Sequence, residues 1–105
     1  MSDYVLLYRG GRMPETDEER ATVMKAWDVW MQDLGPKLKD AGNPFTPGAA
    51  TTIGSDGSVR QGAGDAGGYS IISAGSLDEA TEHAKGSPVL QGGGSVEVYE
   101  TFEVM

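Results

Sequence analysis

The fold is decided by Gly67-Gly68-Tyr69-Ser70-Ile71-Ile72, followed by Ser76-Leu77-Asp78-Glu79-Ala80 and by Gly92-Gly93-Gly94-Ser95-Val96-Glu97-Val98. Tyr69 to Ala74 carries the aromatic and β-branched residues of a strand. Ser76 with Glu79 forms a capping box, in which each residue satisfies an orphan amide at a helix start. Leu77, Ala80, Thr81 and Ala84 then recur at helical spacing, which predicts the buried stripe of a short helix ended by Gly86. The last strand is read from about Ser95 to Val104.

The first half of the chain repeats that order. Tyr4-Val5-Leu6-Leu7-Tyr8 is a short apolar run closed by Arg9-Gly10-Gly11, and reads as a strand covered on both faces. Thr16 with Glu19 is a second capping box. Val23, Trp27, Trp30, Leu34 and Leu38 then mark a long amphipathic helix. Gly35-Pro36 predicts a kink or restart, because proline removes a helix hydrogen bond, and Gly42 is read as the end of the element. Asn43 to Gly48 is a loop. Ala50 to Ile53 and Ser58 to Arg60 are read as a small hairpin around Asp56-Gly57, and the glycine-rich stretch Gln61 to Gly68 as a mobile or ligand-facing loop.

Strand, helix, strand pair, helix, strand is the order of an α+β, ferredoxin-like βαββαβ antiparallel sheet with two helices on one face. Two helices leave the other face bare. Because Tyr4 to Tyr8 is apolar on both sides, a second copy is expected to pack sheet to sheet in a two-fold homodimer.

The chain has 105 residues and is read as a single domain over 1–105. Eight Lys and Arg against sixteen Asp and Glu give a net charge of -8, which argues against a nucleic acid or an anionic membrane as partner. No cysteine is present, which excludes disulfides, thiolate metal sites and a cysteine nucleophile. No apolar run approaches the roughly twenty residues of a membrane span. Tyr4 to Tyr8 is too short for a signal-peptide core, so a cytoplasmic location is expected.

Taken together, Tyr4 to Tyr8, the Trp27/Trp30 helix, Ala50-Thr51-Thr52, Asp56-Gly57, Gly67-Gly68-Tyr69, Ser76 to Ala80 and Gly94 to Val98 resemble the YCII-related (DGPF-type) family over most of the chain. The resemblance implies a dimeric α/β barrel with a cleft in each protomer, similar in fold to muconolactone isomerases and dechlorinating relatives. It also implies a histidine and aspartate pair in members with proposed activity, and Asp-Gly-Pro-Phe before the Gly-Gly-Tyr strand in many others. This chain has no histidine in its first strand and reads Gly62-Ala63-Gly64-Asp65-Ala66-Gly67 in that loop.

Each candidate functional residue has a structural alternative. Gly62 to Gly67 matches G-x-G-x-x-G, but a strand follows it where a dinucleotide site needs a helix, so no nucleotide cofactor is expected. Asp65 can act as a catalytic base or serve as a solvated turn aspartate. Glu100 falls on the side of Val96, Val98, Phe102 and Val104, where a carboxylate needs a partner; it is the second catalytic candidate, unless a bulge near Tyr99 turns it to solvent. His83, the only histidine, is read as a surface residue near a helix end, and one histidine without a thiol is too little for a metal. Arg9 and Arg12 flank a glycine turn and can hold a carboxylate in a pocket walled by Tyr8, Trp27 and Tyr69, or can pair with acids such as Glu15 or Asp17.

Three functions are compatible with these residues. The first is a dimeric small-molecule-binding module without established catalysis, favoured by the missing histidine. The second is an isomerase, lyase or dehalogenase acting on a small organic acid. The third is a regulatory module that meets a protein partner.

Overall fold

A computed structural model describes residues 1–11, 13–62 and 64–104. The elements are β1 Ser2–Arg9, α1 Asp17–Leu34, β2 Leu38–Asp40, β3 Thr51–Ile53, β4 Val59–Gln61, β5 Ala66–Ala74, α2 Leu77–Ala84 and β6 Ser95–Glu100. Short 3-10 turns span Gly35–Lys37 and Pro88–Gly92. The main sheet has the order β2-β5-β1-β6 with every neighbouring pair antiparallel. The fold is α+β and ferredoxin-like, with β1 and β5 central.

Alternation along β1 separates the two faces of the sheet. Tyr4, Leu6 and Tyr8 are buried with Ile72 and Ala74 of β5 against Trp30 and Leu34 of α1 and Ala80 and Ala84 of α2. The cross-strand pairs Val5↔Ile71, Leu7↔Tyr69, Val5↔Tyr99 and Leu7↔Glu97 occupy the other face. Among the described residues no element covers that face as the helices cover the first, and Val5, Leu7, Tyr69 and Ile71 remain half-buried. The apolar run of β1 is therefore covered on one face only.

Both helix N-caps form, and the Glu19 and Glu79 carboxylates reach back one residue past the cap, to the Glu15 and Gly75 amides. Thr16 Oγ1 accepts from the Glu19 amide and Ser76 Oγ from the Glu79 amide. Helix α1 does not continue through Gly35-Pro36. Gly35 takes a positive φ of 55°, its amide closes the helix on the Met31 carbonyl, and Pro36 starts a 3-10 turn. Leu38, expected on the helix stripe, instead begins the edge strand β2.

Gly42 is accordingly not a helix end. It passes so close to β5 that a Cβ would stand 1.6 Å from the Tyr69 carbonyl oxygen, and its φ of +75° lies in the left-handed region that favours glycine. The expected hairpin forms, but as a separate two-stranded sheet, so β2 and not the hairpin supplies the second strand of the main sheet. In α2, Ala80 and Ala84 are buried whereas Leu77 and Thr81 are exposed. The helix ends before Gly86, whose missing Cβ makes room for the Trp30 ring. Strand β6 stops at Glu100 and not Val104, leaving Phe102 and Val104 exposed beyond β1.

Candidate functional site

The concavity of this protomer follows from how α1 is anchored. Its C-terminal half carries Trp30 and Leu34 into the core, whereas its first six residues read Asp-Glu-Glu-Arg-Ala-Thr and offer nothing apolar larger than alanine to pack on the sheet. The helix therefore stands off over its first turns. A groove of about 950 Å³ opens between that half of α1, the Gly10-Gly11 turn after β1 and the 3-10 turn Pro88–Gly92. Val23, Trp27, Pro88 and Val89 give it apolar walls, and Thr22 and Gln91 add hydrogen-bonding groups. A smaller hollow beside Trp30 shares Thr22, Ala26, Pro88 and Gln91 with it and so continues it along the helix.

Packing fixes the groove walls. Trp27 meets Tyr8 edge to face at 5.1 Å and Trp30 edge to face at 5.6 Å, so its ring is braced from two sides. Tyr8 lies behind it, donating from its hydroxyl to Ser70 Oγ at 2.8 Å, and Ser70 Oγ donates on to the Ala41 carbonyl at 2.7 Å. Burial pushes the Tyr8 phenol up to about 12. At the opposite rim Gly94 lets the last turn approach β1, since a Cβ there would sit 2.7 Å from the Arg9 carbonyl oxygen.

The expected pocket residues divide between the faces of the sheet. Tyr8 and Trp27 are on the helix side, and only Trp27 of the two lines the groove. Tyr69 is on the open face, stacked on Phe45 at 5.9 Å. Arg9 follows Tyr8 by one residue and so points to the open face as well. Its Nη1 donates to Asp65 Oδ1 at 2.6 Å and its Nε to Glu97 Oε1. Tyr99 adds a hydrogen bond from its hydroxyl to Glu97 Oε2 at 2.9 Å.

This network lowers the carboxyls of Asp65 and Glu97, in both cases mainly through Arg9, and raises Arg9 itself. Arg9 thus pairs with Asp65 and Glu97 in place of Glu15 or Asp17, and does not share a pocket with Tyr8 and Trp27. Arg12 lies outside the described residues.

Glu100 lies on the helix side, at the end of the sheet, where it is exposed. Its Oε1 accepts from the Tyr4 hydroxyl at 2.9 Å, so the partner its position demands is a phenol. Burial, reinforced by Glu100, raises the Tyr4 phenol. The pairing of β1 with β6 runs past Tyr99 in unbroken register, so the bulge that would turn Glu100 to the other face does not form. Asp65 and Glu100 do not converge, since Asp65 belongs to the open face at the far end of β1.

His83 is half-buried, not fully exposed. Its Nε2 stands 3.4 Å from Lys37 Nζ and 3.5 Å from Glu79 Oε1. The Glu79 carboxyl is lowered first by the Gly75 amide and then by His83 and Lys37. Among the described residues no group of His, Asp and Glu is arranged to hold a metal ion, and no helix is long and apolar enough to cross a membrane.

The turn Pro88–Gly92 is the part of the groove that sequence reasoning misses. Ser87-Pro88 followed by Gly92-Gly93-Gly94 signals a tight turn there, but not that it faces α1. The Arg9–Glu97 pair is legible in part, because Glu97 and Tyr99 share one side of β6.

No family model matches the chain, and no curated protein sequence matches it either. Among solved structures, the chain is similar to the 5-chloro-2-hydroxyhydroquinone dehydrochlorinase TftG of Burkholderia phenoliruptrix AC1100, solved in complex with 2,5-dihydroxybenzoquinone. The TM-score is 0.54 at 24% identity, covering 95% of this chain and 93% of that one. This likeness extends over nearly the whole of both chains and supports the ferredoxin-like architecture.

Proposed function

We propose that the protein binds a small ring-bearing molecule in the groove under the N-terminal half of α1, and that it works as a two-fold homodimer joined through the open sheet face in the manner of a dimeric α/β barrel. The observation that carries the binding reading is the groove itself, with a braced Trp27 and apolar Val23 and Val89 forming walls at the end of a central strand. Arg9 is engaged by two carboxylates, so recognition of a small organic acid is not assigned to it. The dimer reading rests on the half-buried Val5, Leu7, Tyr69 and Ile71, which a second sheet would cover.

Binding without established catalysis fits the carboxylates. Asp65 is held by Arg9 with its pKa lowered, which makes it a poor base near neutral pH. The likeness to a dehydrochlorinase favours a second reading, in which a small organic substrate is isomerised, cleaved or dehalogenated at a site apart from the groove, beside the Glu100–Tyr4 pair at the opposite end of β1.

The test is a thermal-shift panel of small phenols, quinones and aromatic acids, with Thr22→Trp filling the groove from an exposed helix position. A ligand at a hundred times its dissociation constant adds about 2.7 kcal/mol to stability. Wild-type protein should respond and Thr22→Trp should not. A response that survives Thr22→Trp places the site elsewhere. Chloride release from a chlorinated hydroquinone, abolished by Glu100→Gln, would favour the catalytic reading over binding alone.

A further inference from the structure

Residues 48–62 leave the body of the protein as an arm. Its strands pair as Thr51↔Gln61, Thr52↔Arg60 and Ile53↔Val59, and β3 and β4 form a sheet of their own. The arm satisfies its backbone internally. The Gly54 amide donates to the Ser58 carbonyl at 2.7 Å, the Ser58 amide donates to Asp56 Oδ1 at 3.0 Å, and the Gly62 amide closes the base on the Ala50 carbonyl at 2.7 Å. Within this segment every residue but Thr52 is exposed. An isolated two-stranded hairpin is marginal in water, and this one has three-residue strands. Its cross-strand apolar pair is nevertheless turned to solvent, with Ile53 69% and Val59 60% exposed.

The shape of the chain and the root of the arm point to what covers that pair. The radius of gyration is 15.2 Å, with extents of 44 × 40 × 18 Å. A compact chain of this length would have a radius of about 13 Å. The protomer is a thin slab, one helix layer on one sheet, which the arm enlarges sideways.

The arm is rooted at the edge of the open face. On its N-terminal side Phe45 donates its amide to the Gly67 carbonyl at 2.9 Å and stacks on Tyr69. On its C-terminal side Asp65 is tied to Arg9. The half-buried apolar surface of Val5, Leu7, Tyr69 and Ile71 is thus followed by Phe45, and the exposed pair Ile53 and Val59 lies in the hairpin beyond. Charge agrees. The chain carries -8, but Asp56 and Arg60 are the only charged residues of 48–62 and cancel, so the arm can approach a second acidic copy without net repulsion.

We propose that this arm is a clasp for a second copy of the chain, with Ile53 and Val59 of each protomer seated on the other. The inference rests on the sheet-to-sheet dimer reading and adds a distinct contact to it. Two-fold symmetry would use each arm once in each direction, so a small apolar pair contributes twice.

The experiment compares wild-type protein with the double variant Ile53→Ser, Val59→Ser by sedimentation across a dilution series, with far-UV circular dichroism and thermal unfolding as fold controls. Because both side chains are exposed in the protomer, the variant should fold normally. Its dimer dissociation constant should rise about tenfold or more, as for truncation of interface anchors. Amide exchange in 51–61 should slow as wild-type protein is concentrated into the dimer. A dimeric wild type whose dissociation constant is unchanged in the variant overturns the clasp and leaves the sheet interface standing. A wild type that stays monomeric at every concentration overturns both. Ligand binding in the groove is read separately and depends on neither result.

Discussion

Leu6 and Leu7 are adjacent leucines on the central strand with opposite fates. Leu6 is fully buried under the two helices between Tyr4 and Tyr8, whereas Leu7 lies half-buried between Tyr69 and Glu97 on the open face. Hydropathy does not distinguish them. The side of the pleat does, and behind it the fact that α1 and α2 suffice for one face only. The helix face is thus a completed core within a single chain, while the open face stays half-buried in the protomer and is the one the proposed dimer would cover.

The largest effect that separates the two faces is large-to-small substitution. Leu6→Ala should cost about 2–5 kcal/mol of unfolding free energy at any protein concentration, because it removes a buried side chain and leaves a cavity. Leu7→Ala should cost under about 1 kcal/mol in the dilute monomer, as for substitutions outside a packed core. At high concentration it should weaken the dimer. Denaturant titrations of both variants at two protein concentrations make the comparison. Equal, concentration-independent losses would mean that the open face is core as it stands.

Titration should separate the faces next, at opposite ends of the pH scale. On the helix face Tyr8 is held neutral, with its pKa raised from 10.0 to about 12 by burial. Its contribution is fully present below pH 10 and is lost as the pH rises through 12. A rise of that size corresponds to about 3 kcal/mol, and Tyr8→Phe should flatten this alkaline limb.

On the open face Asp65 and Glu97 lie below their ordinary values of 3.8 and 4.5, through Arg9. Their contribution is present above pH 4.5 and is lost as the pH falls through the lowered values. The effect is smaller, because these groups stand at the solvent-exposed end of the sheet. Glu97→Gln should flatten the acid limb and leave the alkaline one unchanged. An acid limb insensitive to that substitution would remove the network from any role in stability.

The same division governs how much can be read in the chain. Local signals suffice for both helix N-caps, for β1 and β5, and for the ferredoxin-like order, because each depends on residues within a few positions of one another. Leu38 misleads because 34 and 38 are as compatible with a helix as with a turn and a strand, and only the positive φ of Gly35 decides.

The last strand is shorter than its pattern suggests. Alternation continues through Phe102 and Val104, yet after the Thr101 amide reaches the Asp3 carbonyl β1 has almost no residues left to pair. The site is less legible than the fold. Tyr8 and Arg9 are adjacent in sequence, and one step along a strand is a change of face, so a pocket drawn from both joins two surfaces. The groove depends on α1 standing off the sheet and on a distant turn, a tertiary relation with no local spacing to announce it.

The smallest effect is expected where a titratable cluster looks most like a site. His83 Nε2 faces both Lys37 Nζ and Glu79 Oε1, an arrangement that invites a catalytic reading. The surroundings do not depend on its side chain. Glu79 is already fixed by the Gly75 amide at 2.7 Å, and Trp30 Nε1 donates to the backbone carbonyl of His83, which any residue would supply. His83 is also absent from the lining of the groove. His83→Gln keeps an acceptor toward Lys37, so stability should change by only a few tenths of a kcal/mol, as for exposed ion pairs. The ligand-induced thermal shift should persist at full size. A loss above about 1 kcal/mol would make His83 a pin between α2 and the turn at Lys37, since that exceeds what such pairs contribute. Loss of the ligand response with stability intact would move the functional site from the groove to the His83 cluster.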